Sequence, residues 1–260
     1  MSLRGMSHRR RSLVAPGLRK RIYWALFAIS IAMFAVEAAQ QYKESLYVNA
    51  FAWEVVNREQ AKDVRSRIIA LRDYLRQNVT FQSAPRDRPF LRASAAETLR
   101  SGKGYCGEVT RAFIQMADAV GIRAQRINLY GKNPHVVAEA ELSHGDLVIV
   151  DCQYPPQIRD LEKLDQVILR REYDDYYTLN LRRLRINWLV TRIKTEIGPL
   201  TYWTENPRAL KAALWLGLAF FFIVCRVARS SLRYVLRKRG WVHVSDLERV
   251  GVSANISLAD

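Results

Sequence analysis

The sequence predicts an α+β domain held between two transmembrane helices. Three observations predict it: two apolar runs almost free of charge, at 22–39 and 209–227; an amphipathic helical pattern over 106–120; and three strand-like segments within 123–152.

The first run reads IYWALFAISIAMFAV from Ile22 to Val36 and resumes past Glu37 with Ala38 and Ala39. The second reads AALWLGLAFFFIVC from Ala212 to Cys225, and it extends back to Ala209 once Lys211 carries its ammonium to the interface. Each lies at the short end of the roughly 17–25 residues that span hydrocarbon. Tyr23 and Trp24 on one side, and Tyr202, Trp203 and Trp215 on the other, suit interfacial anchoring. A cleaved signal peptide is the alternative for the first run. Ala39 is small enough for the −1 position, but Glu37 at −3 is a poor cleavage context, so a retained helix is expected. A buried core helix is the alternative for the second, and its arginine-rich flank and Phe220-Phe221-Phe222 point to lipid instead.

The net charge of +16 divides into +6 over residues 1–39, +5 over 40–208 and +5 over 209–260. Arg19, Lys20 and Arg21 precede the first run; Arg226, Arg229, Arg233, Arg237, Lys238 and Arg239 follow the second. Cationic residues just outside apolar runs mark the cytoplasmic side. The expected order is therefore a basic, disordered cytoplasmic tail at 1–21, a membrane helix at 22–39, an extracytoplasmic (periplasmic) region at 40–208, a membrane helix at 209–227 and a cytoplasmic tail at 228–260. The host is a cell inner (plasma) membrane. The lipid bilayer is the first partner this implies, with anionic headgroups near the tails. Nucleic acid is not expected, because no basic stripe interleaved with aromatics occurs in the folded part. Arg10-Arg11-Ser12-Leu13 resembles a twin-arginine signal only as any arginine-rich flank does. Three cysteines, one inside the second run, make no disulfide framework.

Residues 40–79 read as continuing helix, with Ile68, Ile69, Leu71, Leu75 and Val79 near a helical period. Pro85 and Pro89 mark a loop over 80–93. Ser94 starts a short helix with Glu97 three residues on, the capping-box spacing. After SGKGYCG, Val109, Ala112, Phe113, Met116, Ala117 and Val120 form one apolar face, and Gly121 stands as the stop. The strand-like segments are 123–130, 135–142 and 147–152. From Pro155 to Pro207 the chain is charged and mostly helical in pattern, and Arg185–Ile197 is amphipathic.

Cys106 sits at the start of the amphipathic helix, where unpaired N–H groups and the helix dipole favour a thiolate. Gly104 and Gly107 keep that turn open to an approaching carbonyl. A nucleophilic thiol needs a base and a group to orient the base. His135 at one strand start and Asp151 at the end of the next are the candidates. A Cys/His metal site is not expected, for want of Cys-x-x-Cys or His-x₃-His spacing.

The run AAETLRSGKGYCGEVTRAFIQMADAVGIRAQRINLYG resembles the cysteine motif of the transglutaminase-like superfamily, including Gly-Ile-x-Ala after the cysteine helix. Pro134–Glu139 resembles its histidine strand and Gly145–Asp151 its aspartate strand, so the likeness covers about 62–157. Val136 stands where the family often has an aromatic residue, and Val148 and Ile149 where it often has Trp or Tyr. The resemblance implies a papain-like core, a cysteine helix packed on an antiparallel sheet. It implies Cys106, His135 and Asp151 as catalytic triad, and an oxyanion hole made by the Cys106 N–H with Gln82 or Tyr105 as second donor. The implied activity is cysteine-dependent amide hydrolysis or acyl transfer on a peptide or protein substrate at the cell envelope, without cofactor or metal. The rival expectation is a catalytically silent scaffold, or a membrane-protein partner's subunit, in a polysaccharide or secretion assembly.

Strand parity adds a geometric expectation. His135 and Asp151 share a sheet face only if opposed residue numbers sum to an even value. A three-residue turn, Ser143-His144-Gly145, opposes Leu142 to Asp146 and satisfies this, with Gly145 at positive φ and Cys152 on the other face.

Overall fold

A computed structural model describes residues 16–82, 93–143, 145–173, 176, 202–203 and 205–241. Residues 1–15 of the expected disordered tail at 1–21, the amphipathic segment Arg185–Ile197 and the last residues lie outside them; residues 16–21 of that tail are helical instead, Pro16 standing at the first helical position, where its missing N–H costs nothing. The chain divides into two compact units, Met1–Phe34 with Ala213–Asp260, and Ala35–Ala212.

The first apolar run lies in a long helix, α1 (Pro16–Arg58). The expected helix over 40–79 is broken: Gln60 takes a left-handed φ of 51°, and Asp63 then opens α2 (Val64–Asn78) with a reciprocal capping box to Ser66. A side-chain acceptor for an orphan N–H begins a helix more firmly than periodicity continues one. A two-residue strand, β1 (Thr80–Phe81), follows where a loop was expected. It pairs in parallel with β2 (Lys103–Gly104), which follows α3 (Ala95–Ser101). Ser94 and Glu97 cap α3 reciprocally, as their spacing predicts.

Next come α4 (Cys106–Ala119) and an antiparallel meander of β3 (Ala124–Leu129), β4 (His135–Ser143) and β5 (Asp146–Val150). Val109, Ala112, Phe113, Met116, Ala117 and Val120 of the helix pattern are all buried. Burying Phe113 alone stabilises by about 1.5–3 kcal/mol. Gly121, at φ +79°, ends α4: its N–H donates to the Asp118 carbonyl at 3.0 Å and that of Ile122 to Ala117 at 2.8 Å, the Schellman pair.

The sheet is buried on both faces. Ala138, Ala140, Val148, Val150 and Cys152 join a core with α2, α4 and the end of α1, where Val48, Ala52, Val55 and Val56 lie upstream of residue 62. Leu129, Val137 and Ile149 belong to a second cluster with Ile158, Val167 and Tyr176. Val167 comes from a short helix, α5 (Leu164–Leu169). The open edge of β5 is covered: Ile149 N–H donates to the Glu162 carbonyl at 2.8 Å and Leu161 N–H to Ile149 at 2.7 Å.

The hairpin corrects one expectation and meets its purpose. Ser143, not Leu142, opposes Asp146, so two residues separate the strands. A bulge between Glu141 and Ser143 absorbs Leu142, which packs against the main core. The extra residue restores the parity: Ala138 opposes Val150 and Ala140 opposes Val148, which keeps His135 and Asp151 in step and puts Cys152 on the other face. Gly145 has a φ of +83°.

The second apolar run lies in α6 (Pro207–Lys238), which continues as helix eleven residues past 227. Both α1 and α6 are long and apolar enough to cross a membrane. Within their unit the Tyr23 hydroxyl donates to the Phe222 carbonyl, their rings meet edge-on at 5.4 Å, and Arg226 lies over Trp24 at 5.2 Å. Glu37, expected to disfavour signal cleavage, has a structural use in the other unit. It stands 3.4 Å from Arg208, which also contacts Glu44 and Glu97. Gln41 bonds Asn206 at 2.8 Å.

Candidate active site

Tyr105 is the extended N-cap of α4, so Cys106 is the first residue of its first turn. The Thr110 hydroxyl donates to the Val136 carbonyl at 3.0 Å and ties that turn to the start of β4. Gly107 is closely packed there. A Cβ would lie 3.0 Å from Nη1 of Arg126 and 3.3 Å from the Tyr105 ring. Gly107→Ala should therefore cost about 1–3 kcal/mol as overpacking, visible as a lower unfolding midpoint of the purified protein; an unchanged midpoint would show that the turn yields.

The structure brings Cys106, His135 and Asp151 together. His135 and Asp151 are about 1 % and 0 % exposed, while Cys106 remains partly accessible. Nε2 of His135 stands 3.0 Å from Oδ2 of Asp151. The distance is in hydrogen-bond range, but the oxygen lies off the ring N–H direction. Nε2 faces the carboxylate, and Nδ1 on the other side of the ring is buried as well. Burial pushes the His135 imidazole down, but Asp151 and Cys106 outweigh it and raise its pKa to about 9. Burial likewise pushes the Cys106 thiol up; the hydrogen bond and charge of His135, with the N–H groups of Val136 and Gly107, outweigh that and hold it below the ordinary thiol value. The two shifts together favour a thiolate–imidazolium pair.

Asp151 is held from behind. Oδ1 accepts the Gln153 N–H at 3.1 Å; Oδ2 accepts those of Gln157 at 2.9 Å and Ile158 at 3.3 Å. Its own carbonyl accepts Nε and Nη2 of Arg76 at 3.0 and 2.6 Å. Arg76 and Arg72 both pair with Asp160, at 3.0 and 2.9 Å. These residues escaped sequence reasoning. The available signal was that Arg72 and Arg76 each follow a buried leucine, Leu71 and Leu75, at the margin of the α2 apolar stripe. Cys152, beside the triad in sequence, is pushed well above the usual thiol range by complete burial.

Tyr105 is buried, with its ring against Gly107. Gln82 is exposed, and its N–H donates to the Gly104 carbonyl at 2.9 Å, so the short parallel pair sets it beside the loop before the cysteine. Among the described residues no three His, Cys, Asp or Glu side chains form a group able to hold a metal ion.

The sequence model of the transglutaminase-like superfamily matches residues 50–152, a span that contains all three side chains. Residues 50–152 are a transglutaminase-like domain. Two solved structures are similar to part of the chain. One is a proposed cysteine protease from Cytophaga hutchinsonii, 22 % identical with a TM-score of 0.37 over 42 % of this chain and 37 % of that one. The other is a proposed protease from Parabacteroides distasonis, 15 % identical with a TM-score of 0.33 over 46 % and 26 %. The chain thus spans little more than a third of the first and about a quarter of the second. No curated protein matches it. The transglutaminase-like domain begins upstream of the expected residue 62, in the part of α1 that joins the core.

Proposed function

We propose that the transglutaminase-like domain is a cysteine-dependent acyl-transfer enzyme acting on amide bonds of a peptide or protein. The observation that carries this reading is the convergence of a helix-start cysteine, a buried histidine and a buried carboxylate 3.0 Å from its ring. Cys106 thiolate adds to the amide carbonyl carbon. The C–N bond breaks as the His135 imidazolium gives its proton to the departing amine, leaving a thioester on Cys106. His135, now neutral, takes a proton from water or an acceptor amine as it attacks the thioester, and the thiolate leaves. Asp151 orients the ring and balances its charge. The developing oxyanion is met by the Cys106 N–H, which as a first-turn amide has no intrahelical partner, and by the Gln82 side chain. Removing that second donor in Gln82→Ala should slow turnover about 100-fold with little change in binding; an unaltered rate removes Gln82 from the site.

The direct test is alkylation of Cys106 with iodoacetamide over a pH series, read by peptide mass spectrometry. Reactivity should appear well below the ordinary thiol pKa of about 8.5. Amide cleavage should also fall above about pH 9, where His135 loses the proton the leaving amine needs. An ordinary thiol midpoint would favour the silent scaffold instead.

We further propose that α1 and α6 anchor the domain in an inner membrane with both termini cytoplasmic and the domain on the outer side. The cationic residues flanking the two apolar runs support it. Labelling of Cys106 in intact cells by a membrane-impermeant maleimide is the expected result; labelling only after lysis overturns this topology.

A further inference from the structure

A second charged cluster touches the first turn of α4 and has no part in the acyl-transfer steps. Glu205, two residues before α6, has a side chain only 2 % exposed. Its two oxygens accept Nε and Nη2 of Arg126 at 2.7 and 2.6 Å, a two-pronged pair. Nε of Arg111 lies 3.4 Å from Oε2. Nη2 of Arg126 also donates to the Gly107 carbonyl at 2.8 Å. A buried carboxylate from the segment leading into α6 thus holds a guanidinium from β3 against the residue that follows Cys106. Neighbouring residues fasten the same segment: Gln41 accepts the Ala209 N–H at 3.3 Å, and Arg208 meets Glu37, Glu44 and Glu97.

We propose that Glu205 is a positioning residue for Cys106, seating Arg126 on the first turn of the cysteine helix and setting the charge the thiol meets from the start of the second apolar helix. The proposal rests on the reading of Cys106 as nucleophile. One carboxylate faces two guanidiniums. Removing the carboxylate adds a positive charge beside the turn, and removing Arg126 subtracts one. A thiolate responds to these in opposite directions. The neighbouring ionisable groups on that turn and on the elements packed around it are unchanged between the variants. They are His135 and Asp151 at the sheet end, Tyr105 and Glu108 on the helix side, and Lys103 on β2. Behind these lie Arg76, Arg72 and Asp160, while Glu97 of α3 is paired with Arg208.

The experiment is the pH profile of Cys106 alkylation by iodoacetamide in the full-length protein in detergent, read on the Cys106 peptide. Glu205→Gln should move the midpoint down by about half a pH unit or more, Arg126→Gln should move it up by a similar amount, and the double variant should return it close to wild type. Arg126→Lys keeps the charge but loses the two-pronged grip, so its midpoint should hold while its plateau rate drops severalfold. Loosening of an ordinary structural pair would shift both single variants the same way, and that result, or no shift in either, overturns the proposal. If Glu205→Gln does not fold, the contrast of Arg126→Gln with Arg126→Lys still reads the sign. An ordinary wild-type midpoint sinks the nucleophile reading itself; a low wild-type midpoint with unmoved variants sinks only this one.

Discussion

Cys106→Ala should abolish amide cleavage, a loss of about 10⁴-fold or more, while leaving the fold intact. The side chain is small and partly accessible, so its removal opens no cavity in the core formed by Phe113, Met116 and Leu71. His135→Ala should cost about as much, because thiolate and imidazolium act as a unit and neither retains its shifted pKa alone. The double variant should then be little worse than either single one. Turnover of a cleavable peptide, measured beside the unfolding midpoint, checks both points. Residual activity in Cys106→Ala above a few per cent would place the chemistry elsewhere.

Asp151→Asn should lose both activity and stability. An asparagine must present an NH₂ where one carboxylate oxygen now accepts. At Oδ2 it would confront the N–H groups of Gln157 and Ile158, and at Oδ1 that of Gln153. Either orientation leaves a buried donor unpaired, at a cost of about 1–3 kcal/mol. The imidazolium also loses its counter-ion, so the high-pH limb of the rate profile should fall from about 9. Turnover should drop about 10²- to 10⁴-fold, as the ring is no longer held in one tautomer. Full activity with an unmoved upper limb would show that Asp151 serves the fold alone.

Some of this was readable along the chain because it is local. Six apolar residues from Val109 to Val120 at helical spacing, with Gly121 behind them, specify α4 and its end, and Cys106 follows as its first residue. The Ser94–Glu97 cap is a contact three residues long. Parity is a counting rule, so the shared face of His135 and Asp151 was also within reach. The means of keeping that parity was not. A three-residue turn and a two-residue turn with a bulge satisfy the same count, and packing of Leu142 against the core selects the second.

The sequence by itself determined the apolar runs, the cysteine helix, the order of the three candidate residues and the sheet face shared by His135 and Asp151, since each depends on composition, periodicity or position along the chain. Only the tertiary structure decided what holds those residues in place. Asp151 is gripped by Arg76 across 75 residues, and Arg76 and Arg72 share Asp160 across 84 and 88. Glu205 reaches Arg126 across 79 residues, and Gln82 arrives beside Gly104 through a strand pair of two residues each. A charge leaves no periodic trace in the sequence. Whether it faces solvent or a buried partner depends on which distant segment folds against it, and burial without a partner is what the folded chain cannot sustain.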